Sequence, residues 1–199
     1  MFDSLSGSAL GPCVLNGKHV HLDPLQPSDS DAILEAARES DWTWMPRDLD
    51  TRQSVDEWIS EALRAQARGE EFAFVVKRHD EVVGSTRYMD VQPKNKGAEI
   101  GWTWYRKSAW GTAVNPECKF LLLRHAFEDW GAIRVQLKTD VNNLHSQNAI
   151  LKLGAKFEGR LRSHRFRKDG SIRDTMMYSI TSEEWPAVRD GLSRRITAD

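Results

Sequence analysis

Hydrophobic positions along the chain switch between two spacings, and each switch marks a change of element. HVHLDPL, from His19, alternates until Pro24, which predicts a short edge strand. Ser28 opens a run in which Ile33, Leu34 and Ala37 share a helical face. Ser54 and Glu57 have the spacing of a capping box, and Val55, Trp58, Ile59, Ala62 and Leu63 follow at helical intervals toward Gly69. From Phe72 the period becomes two. FAFVVKR and EVVGSTRYMD read as strands joined at His79-Asp80, and GAEIGWTWY, residues 97–105, reads as a third. Alternation there puts Glu99, Gly101, Thr103 and Tyr105 on one face and Ile100, Trp102 and Trp104 on the other.

Pro116 to Trp130 carries the strongest helical pattern, with Phe120, Leu123, Phe127 and Trp130 recurring at three and four residues. A strand over Ile133–Thr139 follows, then a helix over Leu144–Leu153 stopped by Gly154. Two last strands, about 156–166 and 172–180, flank the turn Lys168-Asp169-Gly170. This order predicts an α+β domain, a mixed sheet with helices on its faces. One domain over 1–199 is expected, with 1–14 a flexible N-terminal segment and 182–199 a C-terminal tail; from Thr181 that tail reads as a short helix with a polar end.

The stretch SAWGTAVNPE, residues 108–117, lies between the third strand of that run and the long helix. Asn115 is a favoured N-cap, Pro116 suits the first helical position, and Glu117 suits the dipole. The turn from Ala109 to Val114, through Trp110, Gly111, Thr112 and Ala113, therefore delivers free N–H groups at a positive helix end. Its small residues would let an anion approach the backbone, and a phosphate there needs donors more than lysines. A plain strand-to-helix turn would carry the same cap.

Composition narrows the classes. The formal net charge of -1, from 28 basic and 29 acidic side chains, argues against nonspecific nucleic-acid binding as the main activity. The two cysteines, Cys13 and Cys118, read as free thiols in a reducing compartment. The first residues have neither a basic region nor a sustained apolar core, and no run approaches the roughly 20 apolar residues of a membrane span. A cytoplasmic protein without a membrane partner is expected. His19 and His21 share a strand face without a third or fourth ligand, so no metal site is expected.

A second segment gives the turn a context. In TDVNNLHSQNAILKLGAKFEG, residues 139–159, a strand end leads into two asparagines, a helix bearing Ser146, and a further strand. Together WGTAVNPE and N-x-x-S-x-x-A-I-x-K-L-G-A resemble the GNAT acyltransferases, most nearly the RimJ/RimL type, over roughly residues 15–181. The resemblance implies a mostly antiparallel sheet splayed between its fourth and fifth strands. It implies acetyl-CoA, or another acyl-CoA, as co-substrate, with no tightly bound cofactor. The loop Ser108–Ala113 would wrap the pyrophosphate, and the pantetheine arm would lie between the strands ending near Tyr105 and Thr139. Tyr105, Trp110, Gly111, Thr112, Ala113, Val114, Asn143 and Ser146 would form the acyl-CoA site, with Ser146 near the thioester sulfur. Trp42, Trp44 and Met45, between the first two helices, would line the acceptor wall.

The chain departs from the resemblance in places. Ser108 stands where Gln or Arg is common, Ala113 replaces a glycine, and Ile150 occupies the position of an acid tyrosine. Arg165 stands where RimL-like enzymes carry a glutamate, which leaves the ribosomal-protein substrate open.

Acyl transfer requires a neutral amine. An α-amino group is about one-tenth neutral at pH 7, whereas a lysine amine costs about 4.6 kcal/mol to deprotonate there. Glu99 is the candidate base, direct or through water, and Ser146 the group that meets the leaving thiolate. Tyr105, Ser146 and backbone amides near 104–106 could polarise the thioester carbonyl. The acceptor would be a small-molecule amine or a protein N-terminus, and the protein a monomer or homodimer. Two other readings remain: an acyl-CoA sensor without turnover, and a ribosome- or RNA-associated protein using the basic segment 160–173. That segment, RLRSHRFRK with Arg173, could equally be a solvated hairpin face or meet an acidic acceptor or the coenzyme 3′-phosphate.

Overall fold

The computed structural model describes residues 10–197. β3 (Phe72–Arg78), β4 (Glu81–Gln92) and β5 (Gly97–Tyr105) form an antiparallel meander. β1 (Leu15–Asn16) and β2 (His21–Pro24) extend it on one side. On the other side come β6 (Arg134–Asp140), β8 (Ile172–Thr181) and β7 (Lys156–Phe166), which gives the order β1-β2-β3-β4-β5-β6-β8-β7. Every pair is antiparallel except β5 with β6.

That parallel pair is short. It runs from Gly97↔Arg134 to Glu99↔Gln136 and then stops. Beyond it β5 stays paired with β4 and β6 with β8, so the two strands part and leave a wedge in the sheet. The splay expected between the fourth and fifth strands is this one, with the two-residue β1 added to the count.

Each face of the sheet carries its own core. α1 (Ser30–Arg38) and α2 (Arg52–Ala67) bury Ile33, Ala36, Ala37, Val55, Trp58, Ile59 and Ala62 against one face. α3 (Val114–Arg124), α4 (Leu144–Leu153) and α5 (Trp185–Thr197) cover the other with Leu121, Leu122, Leu123, Ile150, Leu153, Trp185, Val188 and Leu192. β3 shows why its sequence is nearly all apolar: Phe72, Phe74 and Val76 enter one core, Ala73 and Val75 the other.

Several boundaries differ from those expected. A 3₁₀ turn over Pro27–Asp29 precedes α1, so the α-helix opens at Ser30 and not at Ser28. The cap of α2 is Thr51, whose side chain accepts the Ser54 N–H while Ser54 Oγ accepts the Thr51 N–H. Ser54 is thus inside the first turn, and Glu57 is not its capping partner. After Arg124 the long helix widens into a π turn over His125–Asp129, with the Trp130 N–H on the His125 carbonyl.

The termini also contribute. Residues 1–9 of the segment expected to be flexible lie outside the described residues, but Leu10 is buried and Cys13 packs on the same core. The short helix expected in the tail is α5, and it is part of the core, burying Trp185, Val188, Leu192 and Ile196. Among the described residues, no helix is long and apolar enough to cross a membrane.

Candidate active site

The turn before α3 is more open than its sequence suggests. Asn115 is not the cap: the helix begins at Val114, Ala113 holds the N-cap position, and Ala113 has no side-chain acceptor. Pro116 falls third in the helix, where a missing N–H leaves no intrahelical bond unmade. Thr112 Oγ1 donates to the Ala109 carbonyl at 2.8 Å and accepts the Val114 N–H at 3.3 Å. Among the described residues, the N–H groups of Gly111, Thr112, Ala113 and Asn115 meet no acceptor. Gly111 has φ 72°, the left-handed conformation that bends the turn. Uncapped donors at a helix start form an anion cradle.

Neighbouring groups fix this turn. Glu117, expected only to favour the dipole, is buried and accepts the N–H groups of Lys18, His19 and Val20 at 2.7, 2.7 and 2.8 Å. It clamps the Gly17–Val20 loop onto α3. Trp110 donates its indole N–H to the Tyr105 carbonyl at 3.0 Å and stacks on His145, ring centroids 6.5 Å apart. Since His145 lies in the first turn of α4, Trp110 links the two sides of the wedge.

On the β6 side, Asn143 is the N-cap of α4, and its side-chain oxygen accepts the Ser146 N–H at 3.0 Å. Its amide NH₂ is left to donate elsewhere. Ser146 is half-buried and its hydroxyl meets no partner among the described residues. Ile150, one turn further on, is core.

β5 does not keep its alternation. Ser85 pairs with Trp104 but Arg87 with Gly101, so β5 spends an extra residue, and Trp102 takes φ 48°. The bulge separates residues expected on one face. Glu99 and Gly101 look toward the α1–α2 side, where a Cβ on residue 101 would come within 3.0 Å of Glu99 Oε1 and 2.8 Å of Met89 Sδ and so displace those side-chain ends. Thr103 instead accepts from Lys119 Nζ of α3 at 2.6 Å and bonds Thr86 Oγ1 at 2.8 Å. The Tyr105 side chain enters the α3 core beside Cys118, where burial pushes its hydroxyl well above the usual tyrosine range. Tyr105 therefore brings its carbonyl, not its phenol, to the edge of the wedge.

Glu99 closes the narrow end of the wedge. It is 3% exposed, in the last β5–β6 pair, with Lys138 Nζ 2.5 Å from Oε2. The ion pair fixes the carboxylate on the α1–α2 face. Lys119, which the sequence reading passed over, is buried without a carboxylate partner, and burial lowers its ammonium to about 8. Helical spacing alone gives it no mark.

The aromatic wall divides in two. Trp42 is tied down, its indole N–H on the Ala37 carbonyl at 3.0 Å and its ring 5.0 Å from that of Trp104, and Met45 packs on the same core. Trp44 keeps an exposed ring. Over this region the β7–β8 turn reaches across: Lys168 Nζ donates to the Trp42 carbonyl at 3.1 Å and pairs with Asp48 at 2.6 Å. The hairpin tip thus meets the α1–α2 loop on the face of the sheet that carries Glu99.

The comparisons with known proteins agree with this architecture. The model of the acetyltransferase (GNAT) domain matches residues 19–156. The chain belongs to the GNAT acetyltransferases. It is 26% identical to the ribosomal-protein-serine acetyltransferase of Escherichia coli over 143 residues, 69% of this chain and 79% of that protein. A protein of T. thermophilus assigned as an acetyltransferase is 35% identical, with a TM-score of 0.79 over 92% of this chain and 97% of that one. Mycobacterium smegmatis RimJ, solved with CoA-disulfide, shares the fold at 21% identity, with a TM-score of 0.78 over 92% and 95% of the two chains. The protein is thus an acetyltransferase of the family that uses acetyl-CoA as co-substrate.

Proposed function

We propose that this GNAT enzyme moves an acetyl group from acetyl-CoA to a primary amine by direct attack within a ternary complex. The observation that carries the reading is the uncapped start of α3 beside a wedge whose narrow end holds a buried carboxylate. The N–H groups of Gly111, Thr112, Ala113 and Asn115 would take the pyrophosphate, and the wedge would take the pantetheine arm. The acceptor would enter through a chamber on the Glu99 face, between the α1–α2 loop and the β7–β8 tip.

In the reaction the neutral amine forms a C–N bond to the thioester carbon, and the C–S bond breaks. The ammonium proton passes to Glu99, directly or through water. The thiolate leaves near the start of α4, where the free Ser146 hydroxyl and the helix dipole favour negative charge. Backbone N–H groups beside the β5 bulge are the donors for the carbonyl oxygen, since the Tyr105 phenol is buried elsewhere.

Nucleic-acid binding through 160–173 has less support. Arg160 pairs with Asp174, Arg167 with Asp140 and Lys168 with Asp48, so much of the basic run is neutralised within the chain. Thiol release from acetyl-CoA, measured against peptides, polyamines and amino acids, tests the proposal. Release that depends on an amine supports it; saturable acetyl-CoA binding with no amine-dependent release across the panel would leave a sensor.

A further inference from the structure

The Glu99 face of the sheet, through which the acceptor is proposed to enter, carries cationic groups that acetyl transfer does not use. On β6 and β8, Val135, Leu137, Tyr178 and Ile180 face the α3–α5 core. The alternate set, Lys138 and Asp140 on β6 with Arg173 and Thr175 on β8, therefore faces Glu99 and the α1–α2 side. Arg165 stands directly opposite Arg173 in the β7–β8 ladder. Like charges opposite one another destabilise a sheet unless something lies between them.

Acids in the chain do not resolve this. Asp140 is already taken: Arg167 donates to both its oxygens, Nε at 2.7 Å and a terminal nitrogen at 3.0 Å, and the Asn142 N–H adds a bond at 2.9 Å. Arg173 comes only to 3.9 Å from Asp140, and its Nε is buried with no hydrogen-bond partner. Glu99 is held by Lys138. Arg165 makes no ion pair among the described residues. His164, on Thr175 at 3.0 Å, feels the same concentration of charge: burial, then Arg165, Lys138 and Arg173, lower its pKa. A solvated basic hairpin would expose its arginines, whereas this one buries most of Arg173 with a donor unused.

We propose that Arg173 and Arg165 form an anion subsite of the acceptor chamber, so that the preferred amine carries a carboxylate. This rests on the acetyl-transfer reading for the identity of the chamber. Arginine presents a planar fork suited to a carboxylate, and the mostly buried Arg173 beside the exposed Arg165 gives more than a surface contact. The subsite is on the opposite face of the sheet from α3, whose start holds the pyrophosphate donors, which separates it from the nucleotide end of the coenzyme.

The test compares amines that differ only in the anion: glycine with glycinamide, and Asp-Ala-amide with Asn-Ala-amide, each corrected for its fraction of neutral amine. The first pair probes a free amino acid, the second an acidic N-terminal residue. We expect one carboxylate-bearing member to lead by at least about 10-fold in kcat/KM, and Arg173→Met to bring that ratio near one. Arg165→Gln, at an exposed position, should reduce the ratio without threatening the fold, and melting curves identify a misfolded Arg173 variant. Binding of N-acetylglycine against N-acetylglycinamide by calorimetry reads the subsite without turnover. A binding preference lost in the variants, with no acetylation of any amine, would keep the subsite and discard acetyl transfer. Equal binding and equal rates for both members of each pair would discard the subsite. So would a defect confined to the KM of acetyl-CoA and absent with acetyl-dephospho-CoA, because the arginines would then belong to the 3′-phosphate.

Discussion

Glu99 is the residue on which the proposed chemistry turns, and its surroundings explain its position. Gly101 clears the space above it, Lys138 holds one oxygen, and the wedge opens immediately beyond it. Replacing it by Gln keeps the shape and removes the proton acceptor. We expect Glu99→Gln to lower kcat/KM about 100-fold, most at the acid end of pH 6–9, where the amine is most often charged. Equal rates for both proteins across that range would remove Glu99 from the mechanism. Lys119 makes a different prediction. Its folded value of about 8 lies below the ordinary 10.5, so the folded chain releases a proton that the unfolded chain still holds between those limits. Stability therefore rises with pH from about 8 toward 10.5, and below 8 the full penalty of the buried charge applies. Lys119→Met leaves Thr103 and Thr86 bonded to each other and should stabilise the protein at pH 7 by up to about 3 kcal/mol. Urea unfolding at pH 7 and pH 10 checks this, the gain shrinking at the higher pH. The sheet face of Glu99 was legible in the sequence because the residue lies ahead of the bulge. The faces of Thr103 and Tyr105 were not, because Trp102 turns left-handed without the glycine that usually signals it.

The elements were easier to read than their ends. The strands from Phe72 and Glu81, the helix over Leu144–Leu153 and its Gly154 stop all stand where the pattern put them. The start of α3 did not follow its Asn-Pro signature. Thr112 bonds the Ala109 carbonyl and the Val114 N–H, which draws the first turn back to Val114. The tail was legible as a short helix but not as part of the core: α5 is polar around most of its surface, and its four buried residues acquire meaning only once α3 and α4 are beside it. The α3 turn supplies its own test at Gly111. Nothing lies within 4 Å of a Cβ added there, so a larger residue meets no clash and only the φ of 72° opposes it. A β-branched side chain in that conformation costs about 1–2 kcal/mol. Gly111→Val should therefore raise the KM for acetyl-CoA on the order of 10-fold. The acceptor KM should change little, as initial rates in each substrate would show.

At the scale of the whole molecule, the proposed chamber depends on contacts between parts of the chain that periodicity cannot relate. The β7–β8 tip and the α1–α2 loop meet through Lys168, whose partners Trp42 and Asp48 lie 126 and 120 residues away. The far end of β5 is tied to the same region, with Arg106 on Glu39 at 2.9 Å and the Lys107 N–H on the Glu39 carbonyl at 3.0 Å. Residue spacing reveals a hairpin and a loop, but their meeting follows from the twist and order of the sheet, which bring β7 and β8 round to the helices on β3 and β4. The two ties differ in strength. Arg106 is largely buried, so its bond to Glu39 anchors the base of the loop, whereas Lys168 and Asp48 are each more than a third exposed. An exposed pair of this kind contributes about 0–1 kcal/mol, enough to bias the loop toward closure but not to hold it there. Lys168→Ala should leave the melting temperature nearly unchanged and raise the acceptor KM by up to about 5-fold, with the acetyl-CoA KM unaltered. Raising the salt concentration should reproduce most of that change in the wild type, because the lost attraction is screened in either case. If the acceptor KM is insensitive to both the substitution and the salt, the hairpin tip does not take part in closing the chamber.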